Sequence, residues 1–142
     1  MQERNFEAAV DYILDNDVRY PRDAYVFMRD ALDQTVKALA AGERENPRNV
    51  SIVELLGGIR DYALGQFGPM TITVLEEWGI RETSHFGDLV FNLIEAGWLA
   101  KTEQDRRSDF DRGFDFEEAF RKPFLPSRRA ASGPGAVKAV TV

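Results

Sequence analysis

Apolar residues recur at three- and four-residue spacing through the first half of the chain, which predicts three amphipathic helices. The first spans about 4–14. The second runs from Pro21 to Gly42, because proline suits a first helical turn and glycine commonly ends a helix. The third begins at Ser51, whose S-x-x-E spacing with Glu54 predicts a capping box. The polar stretch 42–49 between the last two is predicted to be an exposed connection.

The third helix contains an adjacent pair of glycines, Gly57 and Gly58. Glycine in a helix interior costs about 1 kcal/mol relative to alanine, so the pair indicates the close approach of another backbone. The surrounding sequence lacks the spacing of a phosphate-binding loop. We therefore predict tight helix packing at this pair, and the sequence leaves open whether a small ligand lies beside it.

The stretch 69–116 has the layout of a winged helix. It predicts two short helices joined by a brief turn, with Thr83 or Ser84 capping the second and Gly97 ending it. The spacing then favours a strand over 98–102, a charged loop and a second strand over 112–116. The predicted fold is mainly α. It is a compact helical domain over residues 1–120, whose part from about 51 to 120 is winged-helix-like with a short β-hairpin wing.

Composition narrows the classes of function. The 142 residues include 24 acidic and 18 basic side chains, a net charge of −6, and 44% are apolar, which is enough for one core. The absence of cysteine excludes disulfides, thiol nucleophiles and Cys-ligated metals, and the single histidine argues against a His-based metal site or hydrolase triad. No cofactor is predicted. The charged N-terminus does not resemble a targeting signal and the apolar runs are far shorter than the roughly 20 residues of a membrane span, so we expect a cytoplasmic protein without a membrane partner.

The composition changes at Arg121. From there to Val142 the sequence has no acidic residue and is rich in Pro, Gly, Ser and Ala, which predicts a flexible basic tail over 121–142. Its cations are candidate contacts to nucleic acid or to an acidic surface, and they are Arg121, Lys122, Arg128, Arg129 and Lys138.

A winged helix suggests DNA binding, but the charges argue against it. The second helix of the pair is predicted to turn Asp88 and Glu95 outward with no Lys or Arg, and such a face is repelled by phosphate. Tyr20, Phe27 and Phe91 fall off the best apolar stripes, and either mark an exposed partner surface or are buried under a neighbouring segment. With Asp88 and Glu95 they form the candidate partner surface.

Carboxylates are crowded between 105 and 118, but they do not match a calcium-binding loop. That loop needs glycine at its sixth position and glutamate at its twelfth. With Asp109 in the first position, Gly113 falls at the fifth and Phe120 at the twelfth. No nucleophile or electrophile accompanies these carboxylates. The sequence therefore assigns no catalytic or metal-binding residue and leans against an enzyme.

Five segments carry a family resemblance: RYPRDAYVFMRDAL (19–32), VELLGGIRDYALGQFGPM (53–70), VLEEWGI (74–80), FGDLVFNLIEAGWL (86–99) and DFDRGFDFEEAF (109–120). With them the chain resembles a small family of short bacterial cytosolic proteins with no assigned biochemical role. The resemblance covers roughly residues 5–120 and implies a single compact domain, without implying any catalytic residue.

Two functional hypotheses follow. The first is a non-enzymatic protein–protein interaction module, which acts on a protein partner or as a homo-oligomer. The alternative is an RNA- or ribosome-associated factor anchored by the basic tail. The sequence does not specify the partner or the oligomeric state.

Overall fold

The computed structural model describes residues 5–42, 50–100, 106–111 and 113–126, and this part of the chain folds into five α-helices. They are α1 (Phe6–Asn16), α2 (Arg22–Ala41), α3 (Ile52–Phe67), α4 (Thr71–Glu77) and α5 (Thr83–Glu95). Short turns of 3-10 helix cover Gly68–Met70, Arg107–Phe110 and Lys122–Phe124, and one π-helical turn covers Glu117–Arg121. The prediction of a mainly α fold is confirmed. No described helix is both long and apolar enough to cross a bilayer.

Local hydrogen bonds explain where the helices begin and end. Ser51 and Glu54 form the predicted capping box, in which each side chain accepts the other residue's backbone N–H at 3.0 Å. Gly97 adopts φ +86° just after α5 and lets the Trp98 N–H donate to the Leu93 carbonyl at 3.0 Å. A left-handed glycine of this kind satisfies the last carbonyls of a helix. The prediction that Gly97 ends this helix is therefore confirmed.

Helices α2 and α3 pack against each other in antiparallel directions. Near the start of α2, the Phe27 ring lies 5.9 Å from that of Phe67 and 5.5 Å from that of Tyr62. Further along α2, Thr35 lies against Gly58, which is earlier in α3. Residues further along α2 therefore contact residues earlier in α3, and the two helices together form one side of the domain.

Helix α5 lies at the centre of the described core. Phe86, Leu89 and Leu93 are each no more than 1% exposed. The helix contacts α1, α2 and the 3-10 turn at Arg107–Phe110. Because these neighbours surround it on several sides, α5 does not present the open face of a recognition helix.

The predicted β-hairpin wing is wrong for the described residues. No strand occurs among them, and Arg107–Phe110 forms a 3-10 turn that packs on α5. Gly87 makes this contact possible, since a Cβ there would lie 2.9 Å from the Phe110 Cβ. The segments 101–105 and 112, which carry parts of the predicted wing, lie outside the described residues.

Thr83 joins this segment to α5. Its hydroxyl donates to the Phe110 carbonyl and accepts the Gly113 N–H at 3.0 Å. Glu82 is the N-terminal cap residue of α5 and makes no side-chain capping bond. The prediction that Thr83 or Ser84 caps α5 is therefore wrong.

The alternating aromatics after residue 112 come from ring packing around helical turns. The rings of Phe116 and Phe120 meet edge to face with centroids 5.0 Å apart, and Phe116 also lies 5.8 Å from Phe86 of α5. Phe114 completes the group at 5.9 Å from Phe116. The last segment is thus attached to the core by aromatic contacts, with no ladder of backbone hydrogen bonds among the described residues.

Candidate functional site

Asp88, which the sequence predicts on an outward acidic face, lies between two arginines. Its Oδ2 accepts the Tyr20 hydroxyl at 2.6 Å and Arg19 Nη1 at 3.2 Å. Its Oδ1 accepts Arg107 Nη2. The side chain of Asp88 is only 15% exposed. The carboxylate therefore connects α5 to the α1–α2 connection and to the 3-10 turn that follows α5.

A second carboxylate, Asp17, extends this arrangement. It accepts Arg19 Nη2 at 2.7 Å and Asn92 Nδ2 at 3.0 Å, and the same Asn92 nitrogen lies 3.1 Å from the Tyr25 hydroxyl. We call this group the Asp88 network, and it comprises Asp17, Arg19, Tyr20, Asp88, Asn92 and Arg107. It contains two carboxylates and two guanidiniums, so it carries no net charge when all four are ionised.

The network holds its carboxylates in the ionised form. The Arg19 hydrogen bond is the largest influence on Asp17 and moves its pKa well below the ordinary range. Burial alone would raise the pKa of Asp88, but hydrogen bonds from Tyr20 and Arg107, with the charges of Arg19 and Arg107, together lower it. Burial, reinforced by the bond to Asp88, raises the pKa of Tyr20 well above its ordinary value. Tyr20 therefore remains a hydrogen-bond donor at neutral pH.

This geometry corrects the predicted partner surface. Tyr20 and Phe27 are 3% and 4% exposed, so both are buried and do not form an exposed partner surface. Phe91 is half-buried, with the Arg107 guanidinium 5.9 Å from its ring centre. Only Glu95 of that set is exposed. The sequence missed this because helical periodicity shows which side of α5 is apolar but not which loops cover its polar side.

A groove lies between α2 and α3, beside the glycine pair. Its volume is about 570 Å³ and it is open to solvent. On α2 it is lined by Gln34, Thr35, Ala38 and Leu39. On α3 it is lined by Gly57, Gly58, Gly65 and Tyr62, with the polar residues Glu54, Asp61 and Gln66.

The glycines of α3 have different surroundings. A Cβ at Gly58 would lie 1.8 Å from Thr35 Oγ1, so the predicted tight packing is confirmed there. A Cβ at Gly57 or Gly65 would meet nothing within 4 Å. The absent side chains at these two positions leave the open space of the groove. Gly65 was missed by the sequence reasoning, although its spacing of eight residues from Gly57 places both on one face of α3.

The charged groups at the groove are acidic. Glu54 and Asp61 contribute carboxylates, and the lining residues within the described part of the chain include no Lys or Arg. The Asp61 side chain is 72% exposed, and its ion pair with Arg60, at 3.2 Å, is on the surface. Such exposed pairs are weak. The groove therefore combines apolar side chains and glycines with two carboxylates among its described lining residues.

The tail cations that lie in the described part of the chain are paired locally. Arg121 Nε lies 2.8 Å from Glu117 Oε1, and Lys122 Nζ lies 2.7 Å from Glu118 Oε2. Both residues lie in helical turns, the last of which ends at Phe124. The remaining candidates, Arg128, Arg129 and Lys138, lie outside the described residues.

The comparisons with known proteins found no match to this chain among family models, curated proteins or solved structures. Its function is therefore inferred from the geometry of the chain itself.

Proposed function

We propose that this protein is a non-enzymatic interaction module that binds another protein in the groove between α2 and α3. The observation that carries the proposal is that two glycines of α3, Gly57 and Gly65, keep the groove open. Each costs helix stability of about 1 kcal/mol relative to alanine, and no neighbour within the described structure needs the space. An external occupant gives these glycines a physical role.

The shape of the groove favours a polypeptide over a small molecule. Gly57 and Gly65 are eight residues apart on α3, which corresponds to about 12 Å along the helix axis. The groove is open to solvent, whereas small-molecule sites enclose most of the ligand surface. Missing side chains over two helical turns allow another backbone to approach closely.

The distribution of reactive groups supports a binding role over catalysis. The carboxylates of the Asp88 network are held ionised by arginines and by Tyr20, and neither Asp17 nor Asp88 lines the groove. The groove itself combines carboxylates and amides with apolar side chains and has no histidine among its lining residues. This set lacks a nucleophile paired with a base.

Substitutions that fill the groove test the proposal. Gly57→Leu and Gly65→Leu place a side chain into open space, so we expect both variants to fold and to lose partner proteins that the wild type retains in quantitative affinity purification. Asp15→Leu, on the exposed side of α1, adds the same apolar group away from the groove and should retain them. If all three variants retain the same proteins as the wild type, the groove is not the binding site.

A further inference from the structure

The proposed binding groove also indicates what kind of segment it receives, and this inference rests on the proposed function. We infer that the occupant is an amphipathic helix of a partner protein, with apolar side chains on the face that enters the groove and Lys or Arg beside that face.

The first argument concerns backbone geometry. A peptide that adds to a sheet needs an exposed strand edge, and the described residues contain no strand. The groove instead runs between two antiparallel helices, α2 and α3. A third helix packs naturally into such a groove, with anchors at i, i+3, i+4 and i+7. Gly57 and Gly65 would let it approach α3 closely.

The second argument concerns charge. The carboxylates of Glu54 and Asp61 lie at the groove, and the described residues that line it include no cation. Asp61 has Arg60 beside it on the surface, in an exposed pair of the weak kind. Residues 1–120 contain 24 acidic and 13 basic side chains, so the wider field is also negative. Opposite charge on a partner raises the rate of encounter and selects against acidic segments.

The same charges argue against a second copy as the occupant. Two copies would bring like-charged domains together, each with a net charge of −11 over residues 1–120. Like-charge juxtaposition at an interface is costly. A basic helix from a different protein avoids this repulsion and brings cations to a groove that has carboxylates among its described lining residues.

The inference can be tested with two synthetic peptides of about 18 residues, or five helical turns, that share one apolar face. One carries Lys at every polar position and the other carries Glu. Each is titrated into the ¹⁵N-labelled full-length chain, and the backbone amides of Gly57, Gly58 and Gly65 report on the groove. We expect the Lys peptide to shift these three signals and the Glu peptide to leave them unchanged.

Charge-reversal variants separate groove recognition from general attraction. Asp61→Lys should weaken binding of the Lys peptide by about threefold to tenfold, because one exposed ion pair is replaced by repulsion. Asp15→Lys makes the same change of charge on α1 and should weaken it much less. Gly57→Leu should abolish the shifts at Gly58 and Gly65.

The other outcomes contradict the inference in distinguishable ways. Equal weakening by Asp61→Lys and Asp15→Lys means that the peptide is attracted to the whole surface. A Lys peptide that leaves the groove signals unchanged, alongside partners that are lost in Gly57→Leu, refutes the basic helix but not the binding groove. If the Lys peptide causes no shifts and Gly57→Leu loses no partner proteins, the binding groove is refuted as well. If deletion of residues 127–142 moves the glycine signals, the occupant is the C-terminal segment of this chain. If the chain forms a concentration-dependent dimer that Gly57→Leu disrupts, the occupant is a second copy.

Discussion

At the scale of single residues, the adjacent glycines Gly57 and Gly58 have opposite structural roles. The Cβ that an alanine would add at Gly58 falls 1.8 Å from Oγ1 and 2.9 Å from Cβ of Thr35. Thr35 is itself buried, and its hydroxyl donates to the Ala31 carbonyl at 2.8 Å, so it is not free to move aside. The Cβ added at Gly57 meets no atom within 4 Å.

The two alanine substitutions should therefore change stability in opposite directions. We expect Gly58→Ala to lower the free energy of unfolding by about 1–3 kcal/mol through overpacking. Gly57→Ala should raise it by up to about 1 kcal/mol through helix propensity. Urea denaturation of both variants measures the difference. Combining Gly58→Ala with Thr35→Ala removes the clash and should recover part of the loss, and equal effects of the two single variants would contradict the assigned packing.

Asp88 makes the stability of the protein depend on pH. The pKa values of Asp17 and Asp88 are lowered in the folded state, so both contribute stability above the ordinary carboxyl pKa near 4, and this contribution is lost as the pH falls through the folded values. Asp88→Asn should lower the free energy of unfolding at neutral pH, because Arg19 and Arg107 lose their shared partner. It should also reduce the further loss of stability below about pH 4.

Urea denaturation at a series of pH values between about 7 and 2 tests this. The variant and the wild type share every other carboxylate, so the difference between their curves isolates Asp88. Curves that run parallel over the whole range would show that the ion pairs of Asp88 do not stabilise the fold.

At the scale of secondary structure, the α-helices were largely predictable and the wing was not. Capping residues and 3.6-residue periodicity are local signals, and they gave α3 its start at Ser51 and α5 its end before Gly97. Aromatic alternation is ambiguous, because Phe114 and Phe116 can lie on a strand or on tight helical turns. Phe116 packs on Phe86, 30 residues earlier, and no local pattern reveals this contact.

The same reasoning explains what was predictable at the groove. The pair Gly57 and Gly58 predicted close packing, and this prediction is confirmed for Gly58. The open side of the groove depends on which α3 positions α2 fails to cover, and this is a property of the packed pair. The buried state of Tyr20 and the pairing of Asp88 likewise depend on a loop and a turn far apart in sequence.

The 3-10 turn after α5 depends on Thr83, and a substitution there tests this element. Thr83→Val keeps the shape of the side chain but leaves the Phe110 carbonyl without this donor and the Gly113 N–H without this acceptor. Because Thr83 is 2% exposed, water does not replace the lost bonds easily, and we expect a loss of about 1–3 kcal/mol in the free energy of unfolding.

Hydrogen exchange makes the assignment specific. The Gly113 amide should exchange faster in Thr83→Val, whereas Thr83→Ser retains the hydroxyl and should preserve its protection. If Thr83→Ser loses stability, Thr83→Val does not, and the Gly113 amide stays protected in both, the contribution of Thr83 comes from its methyl group.

At the scale of the whole molecule, the charge distribution favours the proposed protein-binding role over the RNA hypothesis. An RNA- or ribosome-associated factor would need its cations free to meet phosphate. Arg121 and Lys122 lie beside Glu117 and Glu118, and these four side chains carry no net charge together. The three remaining tail cations, Arg128, Arg129 and Lys138, follow a domain whose own net charge is −11 over residues 1–120.

This balance predicts weak RNA association. Each neutralised phosphate of a single strand contributes about 0.7 to the slope of log affinity against log salt, so three cations give a slope of about 2, well short of proteins that make about 6–10 phosphate contacts. We expect fluorescence anisotropy with a labelled single-stranded RNA to show binding only at low salt. Deletion of residues 127–142 should remove it, whereas Arg121→Ala with Lys122→Ala should leave it almost unchanged. Tight binding that persists at physiological salt, or that depends on Arg121 and Lys122, would favour the RNA hypothesis over a protein-binding groove, because it would require these paired cations to leave their glutamates for phosphate.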